Sequence, residues 1–259
     1  MSNKLAVQLY TVRDYCKTPV DIATTLAKVA KMGYRAVQAS ALGPIEAKEL
    51  RKILDENGLT CCATHKPFEK LRDETAKQLE DHQIIGCPYT ALGGFWPKGD
   101  EKPRPTWERF ADEFTALATK LAAAGLKLGY HNHHHEFQNL DGPGTQTAYD
   151  LLAQRLGKDV WFEVDTYWVQ FAGADPAAWI ERFKGRLPCV HLKDLGIADD
   201  RSHQMRPVGQ GNLNWDRVLD ACKRAGVEWY IVEQDNCNGL DPFDCLKASR
   251  DFLVARGFE

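Results

Sequence analysis

The sequence lacks the segments that would place the protein in a membrane or direct its export. No apolar run approaches the roughly 18 residues that a membrane-spanning helix needs. Residues 1–10 lack the basic start, the long apolar stretch and the small-residue cleavage site of a signal peptide. We therefore expect a cytoplasmic protein that has no membrane partner.

The sequence also lacks an excess of basic residues and any pattern of paired cysteines. Lysine and arginine total 33 against 36 for aspartate and glutamate, so the formal net charge is −3. This balance argues against a protein that binds nucleic acid chiefly through charge. The 8 cysteines include no CxxC pair and no regular spacing, which is typical of reduced, mostly buried thiols in a cytoplasmic protein.

Short apolar runs alternate with longer amphipathic segments along all 259 residues. The predicted strands are 5–10, 34–39, 59–65, 88–92, 126–131, 160–164, 187–192 and 229–233. The predicted helices are 19–32, 44–57, 69–85, 106–124, 145–156, 175–183, 215–225 and 242–256, and a loop rich in glycine and proline spans 93–105. This alternation favours an α/β protein with a parallel sheet closed into a single (β/α)8 TIM barrel that spans residues 1–259.

An open, doubly wound sheet is the competing architecture, which a glycine-rich phosphate loop after the first strand would favour. The first predicted strand instead runs into Thr11, Val12 and Arg13 without a glycine. Gly209 and Gly211 form only a GxG, which is more typical of a tight turn before a helix. The sequence therefore favours the closed barrel.

Polar side chains end the predicted strands in the second half of the chain. They are the run 131–136 after the fifth strand, Glu163 and Asp165 on the sixth, His191 and Lys193 on the seventh, and Glu233 and Asp235 on the eighth. The carboxyl ends of barrel strands meet at one face, where the active site lies. Converging carboxylates need a cation to offset their repulsion. The mixed oxygen and nitrogen donors suit Mn²⁺, Co²⁺, Mg²⁺ or Zn²⁺.

Six short segments carry a resemblance that covers essentially the whole chain. They are YHNHHHEF (130–137), VDTYWV (164–169), AGADP (172–176), VHLKD (190–194), PVGQGNLNW (207–215) and VEQD (232–235). In their order, they resemble the sugar phosphate isomerase/epimerase family, which belongs to the xylose isomerase-like TIM barrel superfamily. That superfamily also contains ketose 3-epimerases, inosose dehydratase and endonuclease IV-type enzymes. The resemblance implies a carbohydrate substrate.

The resemblance also implies a divalent metal held by side chains from the fifth to the eighth strands. The matching residues are Glu136, Asp165, His191 and Glu233. The ligand from the fifth strand could instead be another residue of the 131–136 stretch. Mn²⁺ is the expected cofactor, with Co²⁺, Mg²⁺ and Zn²⁺ as alternatives.

Two positions depart from the family pattern. Trp168 stands where ketose epimerases commonly carry a histidine, and Gln38 stands where a glutamate is often found. Both departures weaken an assignment to the ketohexose epimerases, and neither affects the predicted metal ligands.

The chemistry expected at such a site is proton transfer next to a carbonyl group. A bound divalent cation would stabilise the enediolate that forms when the neighbouring carbon loses its proton. We expect Glu136 and Glu233 to form the acid/base pair, and His131 to complete the catalytic set by hydrogen-bonding a substrate hydroxyl. The residues expected to bind substrate are His65, Trp96, Trp168, Lys193 and Arg206.

Two fates of the enediolate stay open. Reprotonation would make the protein an isomerase or epimerase, which the frequency of that activity in the family favours. Loss of a β-hydroxyl or β-alkoxyl group would make it a dehydratase or lyase that acts on a keto-sugar, keto-glycoside or inosose. An endonuclease IV-like enzyme and a non-catalytic sugar-binding barrel are minor alternatives. The resemblance alone implies a homo-oligomer.

Overall fold

Eight parallel strands close into a barrel in the computed structural model of this protein, which describes residues 4–97 and 103–259. The barrel strands are β1 (Lys4–Gln8), β2 (Ala36–Ala39), β3 (Thr60–His65), β4 (Tyr89–Leu92), β5 (Lys127–His131), β6 (Trp161–Asp165), β7 (Cys189–Leu192) and β10 (Trp229–Val232). Each of these eight strands pairs with the barrel strands that precede and follow it in the chain, so β7 pairs with β10. The ring closes where β1 pairs with β10. The predicted (β/α)8 TIM barrel is confirmed.

Helices follow the strands and pack around the barrel. They are α1 (Pro19–Lys31), α2 (Ala47–Glu56), α3 (Phe68–Asp73), α4 (Thr75–Ile85), α5 (Pro103–Ala123), α6 (Ala148–Arg155), α7 (Thr166–Phe171), α8 (Pro176–Arg182), α9 (Trp215–Ala225) and α10 (Pro242–Val254). Local chemistry sets several of these ends. Thr18 and Asp21 form a capping box at the start of α1, and Gly226 ends α9 in the left-handed conformation that glycine adopts without strain.

Four features differ from the sequence prediction. The first strand stops at Gln8, because its side chain accepts a hydrogen bond from the Tyr10 amide at the start of a 3₁₀ helix, Leu9–Tyr15. Glu74 divides the single helix predicted at 69–85 into α3 and α4. Helix α7 and an antiparallel hairpin, β8 (Asp194–Ile197) with β9 (His203–Arg206), were not predicted. Residues 98–102 of the predicted loop lie outside the described residues.

Mostly small side chains fill one layer of the barrel interior around a large buried ring. The ring belongs to Trp161, and Ala6, Ala36, Cys62, Ala63, Ala91, Cys189 and Ile231 surround it. A Cβ atom at Gly129 would lie 2.3 Å from that ring, so the neighbouring strand needs a glycine there. Since Trp161 begins its strand, this apolar layer leaves the carboxyl end of the interior to the polar side chains.

The cysteines agree with the expectation of reduced, mostly buried thiols. All 8 cysteines are free thiols, and Cys237 is the one among them that is not buried. Among the described residues, no helix is both long enough and apolar enough to cross a bilayer.

Candidate active site

Four buried side chains converge at the carboxyl end of the barrel. His131 ends β5, Asp165 ends β6, His191 lies in β7 and Glu233 directly follows β10. One ligand atom from each lies within 4.8 Å of the others. We call these residues the four-residue group. The structure thus brings together Asp165, His191 and Glu233, which the sequence predicted as ligands, and it adds His131.

Strand register explains this convergence. Asp165 lies opposite His191 in the pairing of β6 with β7, and Glu163 lies opposite His131 in the pairing of β5 with β6. Side chains alternate between the two faces of a strand, so Glu163 and Asp165 both point into the barrel. Asp165 lies one layer nearer the carboxyl end than Glu163.

The tautomer of His191 is set by a buried pair of amides. Nε2 of Gln38 lies 2.8 Å from an oxygen of Glu163 and donates to it, which fixes the orientation of the Gln38 amide. The Gln38 oxygen then accepts from Gln8 Nε2 at 2.9 Å and from His191 Nε2 at 2.6 Å. Nε2 of His191 therefore carries a proton, and Nδ1 faces the four-residue group.

The donor atoms of the group fit a divalent cation. His191 Nδ1 lies 2.9 Å from Glu233 Oε2 and 3.8 Å from Asp165 Oδ2. Both atoms are buried, and Glu233 Oε2 also lies 2.8 Å from the Lys193 Nζ. Two imidazoles and two carboxylates that converge in a buried site are the ligand chemistry of a metal such as Mn²⁺ or Zn²⁺.

The charged side chains around the group shift the pKa values of its members. Burial raises the pKa of Asp165, but the Lys193 ammonium and the contacts with His131 and His191 together outweigh this and hold the pKa well below its usual range. Burial lowers the pKa of His191, but Glu163 and Glu233 outweigh it and hold the pKa well above its usual value. A cation bound at His191 Nδ1 would therefore have to displace a proton.

Lys193 is a buried ammonium group at the edge of the four-residue group. Its Nζ lies 2.9 Å from Asp165, 2.8 Å from Glu233 and 3.0 Å from Asp235. Burial lowers the pKa of Lys193, but these carboxylates outweigh it and raise the pKa well above its usual value. Burial and the nearby Glu233 raise the pKa of Asp235 to about 6.

Glu136 lies outside the four-residue group, in a short 3₁₀ helix, His135–Phe137. Its buried carboxylate accepts hydrogen bonds from the Tyr130 hydroxyl at 2.7 Å and from the His133 amide at 2.8 Å. Burial raises the pKa of Glu136 to about 7, although both hydrogen bonds oppose that shift. Its contacts are those of a group that braces the loop after β5.

A cavity of about 820 Å³ adjoins the group. His131, Lys193 and Glu233 line it together with two other residues expected to bind substrate, His65 and Trp96. Trp96 is 57% exposed, and its ring stacks on that of His135 with centroids 5.3 Å apart. A polar floor beside an aromatic wall suits a carbohydrate.

Trp168 and Arg206 are not among the described residues that line this cavity. Trp168 lies in α7, where its ring packs against those of His133 and His134. The centroid of this ring lies 5.6 Å from the Lys193 Nζ. Arg206 ends β9, where it pairs with Asp194 of β8. The structure therefore brings three of the five expected substrate contacts to the cavity wall.

The segment 207–215 is held by one buried carboxylate. Asp194 accepts hydrogen bonds from the amides of Gly209 at 2.8 Å and Gly211 at 3.0 Å, and from the indole of Trp215 at 2.6 Å. A Cβ atom at Gly211 would lie 2.4 Å from the Asp194 carboxylate, which explains the glycine. The GxG therefore belongs to a turn before α9, where Asn214 caps the helix.

Sequence reasoning missed the role of Glu163. Its carboxylate lies 2.6 Å from Nε2 of His65, 98 positions away in the chain. Strand alternation placed Glu163 on the inner face, but nothing local pointed to His65 as its partner. His65, Glu163 and His191 form a second set of potential metal ligands. There, the Glu163 oxygens and His191 Nε2 already have hydrogen-bond partners.

The fold and the four-residue group define a TIM-barrel protein with a candidate metal centre at the carboxyl ends of its strands. The chain belongs to the xylose isomerase-like TIM barrel family, whose model matches residues 26–255. The family predicted from the sequence is thereby confirmed.

Individual proteins of known sequence or structure agree with this assignment. The inosose dehydratase of Geobacillus thermodenitrificans (strain NG80-2) is 24% identical over 270 residues, which cover 88% of this chain and 87% of the relative. A sugar phosphate isomerase/epimerase from Parabacteroides distasonis ATCC 8503 has a TM-score of 0.80 at 22% identity and covers 98% of this chain and 95% of its own. The IOLI protein, solved with a binding zinc atom, has a TM-score of 0.72 at 15% identity and covers 97% of both chains.

Proposed function

We propose that this protein is a divalent-metal-dependent lyase that eliminates a hydroxyl or alkoxyl group β to a carbonyl. The substrate class is a keto-sugar, keto-glycoside or inosose. The observation that carries the proposal is the four-residue group, whose two imidazoles and two carboxylates converge within 4.8 Å beside a cavity that Glu233 and His131 line. Relatives named inosose dehydratase, which align along 88% of this chain, support elimination as the outcome.

His131, Asp165, His191 and Glu233 would hold the cation, so His131 takes the place predicted for Glu136. When bound, a divalent cation supplies Lewis-acid activation of a carbonyl oxygen, which makes the hydrogen on the neighbouring carbon acidic. Mn²⁺ remains the proposed metal, and Zn²⁺ is tested beside it because the related IOLI structure contains zinc.

The charged side chains of the group then act on the substrate. Lys193 keeps its charge within the cavity wall, where it would stabilise the negative charge that develops on the substrate oxygen. Burial raises the pKa of Glu233, but Lys193 and His191 together outweigh this effect and hold the pKa well below its usual range. Glu233 is therefore ionised and would accept the proton from carbon. Trp96 would stack on the sugar face.

Isomerisation or epimerisation is the second candidate. It would use the same first step, removal of the proton next to the carbonyl, and the solved isomerase/epimerase from Parabacteroides distasonis shares the fold. The two candidates differ only in whether the carbon is reprotonated or a β-oxygen leaves. An endonuclease IV-type role is disfavoured because, among the described residues, β1 and β2 bring the uncharged amides Gln8 and Gln38 to the site, and Thr90 of β4 instead accepts a hydrogen bond from Thr64.

Incubation in D₂O tests this proposal. The protein loaded with Mn²⁺ or Zn²⁺ is mixed with an inosose, a keto-sugar and a keto-glycoside, and the Asp165→Asn variant serves as the inactive control. We expect deuterium exchange next to the carbonyl, together with an unsaturated ketone and released water or alcohol. Deuterium in an epimer without elimination would favour the second candidate. No exchange with any substrate would overturn both.

A further inference from the structure

An elimination needs two proton carriers, and the structure provides a partner for Glu233 that the sequence did not predict. One carrier accepts the proton from carbon, and the other protonates the departing oxygen. The sequence predicted Glu136 as the partner of Glu233. Glu136, however, uses both carboxylate oxygens to hold Tyr130 and His133, and it is not among the described residues that line the cavity.

His65 has the geometry of a proton carrier. It ends β3 and lines the same cavity as Glu233. Its Nε2 lies 2.6 Å from a Glu163 oxygen, whereas its Nδ1 has no hydrogen-bond partner among the described residues. A Cβ atom at Gly93 would lie 3.2 Å from this Nδ1. The glycine therefore leaves room beside the nitrogen that is free to reach a ligand.

Glu163 holds the other side of the His65 ring. It is fully buried, and its second oxygen accepts from Gln38 Nε2 at 2.8 Å. A carboxylate in this position orients an imidazole, fixes the tautomer with the proton on Nε2 and offsets the charge of the protonated ring. The arrangement is a carboxylate–imidazole pair that presents Nδ1 to the cavity.

We propose that His65 is a catalytic residue that protonates the departing oxygen and that Glu163 is the positioning residue that orients it; this rests on the proposed lyase function. Glu233 takes the proton from carbon, and the electron pair of that C–H bond forms the carbon–carbon double bond. The C–O bond breaks, and its electron pair accepts the proton from His65 Nδ1. The ring is left as the Nε2–H tautomer that Glu163 holds. Exchange with water then restores the protonation of both carriers, and nothing is oxidised or reduced.

The dependence on the leaving group tests this role. Metal-loaded wild-type protein and the variants His65→Asn, His65→Gln and Glu163→Gln are given two keto-glycosides, one releasing methanol and the other nitrophenol. Nitrophenol leaves as a stable anion and needs no proton donor. We expect both His65 variants to lose about 100-fold or more in methanol release. The loss in nitrophenol release should stay below about 10-fold, and deuterium exchange should persist. Glu163→Gln should also slow methanol release more than nitrophenol release, but by a smaller factor than the His65 variants.

Further measurements separate this role from a structural one. Each variant is also measured for metal affinity and melting temperature, and His203→Gln, an exposed histidine in β9, is the matched control. Equal losses with both leaving groups, or the loss of deuterium exchange in variants that still bind metal, would overturn the assignment of His65. Wild-type protein that shows neither exchange nor release would overturn the proposed function itself, and this inference with it.

Discussion

The side-chain oxygen of Gln38 lies 2.6 Å from Nε2 of His191. This contact decides which nitrogen of the imidazole is turned toward Asp165 and Glu233. Gln8 donates to the same oxygen at 2.9 Å, so two strands hold the acceptor in place. Groups that orient a metal-ligating imidazole in this way contribute to metal affinity without touching the metal.

The substitution Gln38→Leu should weaken metal binding by about 10- to 100-fold, because His191 loses the acceptor that fixes its tautomer. Calorimetric titration of Mn²⁺ or Zn²⁺ into metal-free protein measures this. Gln83→Leu, an exposed site in α4, is the control. Unchanged affinity in the Gln38 variant would show that this amide does not set the ligand geometry.

The substitution Asp165→Asn should abolish metal-dependent stabilisation while it preserves the local helix. One carboxylate oxygen caps α7 by accepting from the Trp168 amide at 3.0 Å, and asparagine caps helices equally well. The other oxygen belongs to the four-residue group. At metal concentrations of 100 times Kd, the wild-type protein should gain about 2.7 kcal/mol in unfolding free energy, and the variant should gain none.

A matched control for that experiment is Asp175→Asn, since Asp175 caps α8 in the same way. Its melting temperature should still rise on addition of metal. If the Asp165 variant also keeps the full rise, Asp165 is not a ligand.

The substitution Lys193→Met should destabilise the metal-free protein by about 3–5 kcal/mol, because it leaves buried carboxylates without their counter-charge. Lys193 lies within 3.0 Å of Asp165, Glu233 and Asp235. Added metal should recover part of this loss. Urea denaturation with and without metal measures both effects, and Lys184→Met, at an exposed lysine, should change neither. If the metal-free Lys193→Met protein were as stable as the wild type, the Lys193 ammonium would not be needed to offset the charge of the buried carboxylates.

The pair Glu233→Gln and Glu136→Gln separates the two glutamates that the sequence placed together. We expect Glu233→Gln to lose metal affinity and turnover, because its carboxylate lies 2.9 Å from His191 Nδ1. Glu136→Gln should retain metal affinity, because Glu136 braces the loop after β5 instead. Calorimetric titration of both variants decides the matter, and loss of affinity in Glu136→Gln would return Glu136 to the ligand set.

The barrel and three of the four candidate ligands could be predicted from the amino-acid sequence. Alternation of apolar strands with amphipathic helices is a local property, and a strand's direction fixes which of its residues lies at the carboxyl end. Asp165, His191 and Glu233 could therefore be placed at one face from strand ends alone. The same periodicity put Glu163 on the inner face.

Which groups meet across the barrel could not be predicted from the sequence, because it depends on how the strands close into a ring. In the polar run 131–136, no local signal distinguishes the side chain that stays at the strand end, His131, from Glu136, which turns back toward Tyr130. The Glu163–His65 pair spans 98 positions, and the Gln38–His191 pair spans 153. Such contacts depend on closure of the sheet, which brings distant strands to one axis. The burial of Lys193 among its carboxylates arises in the same way, because its neighbours come from β6 and from the segment after β10.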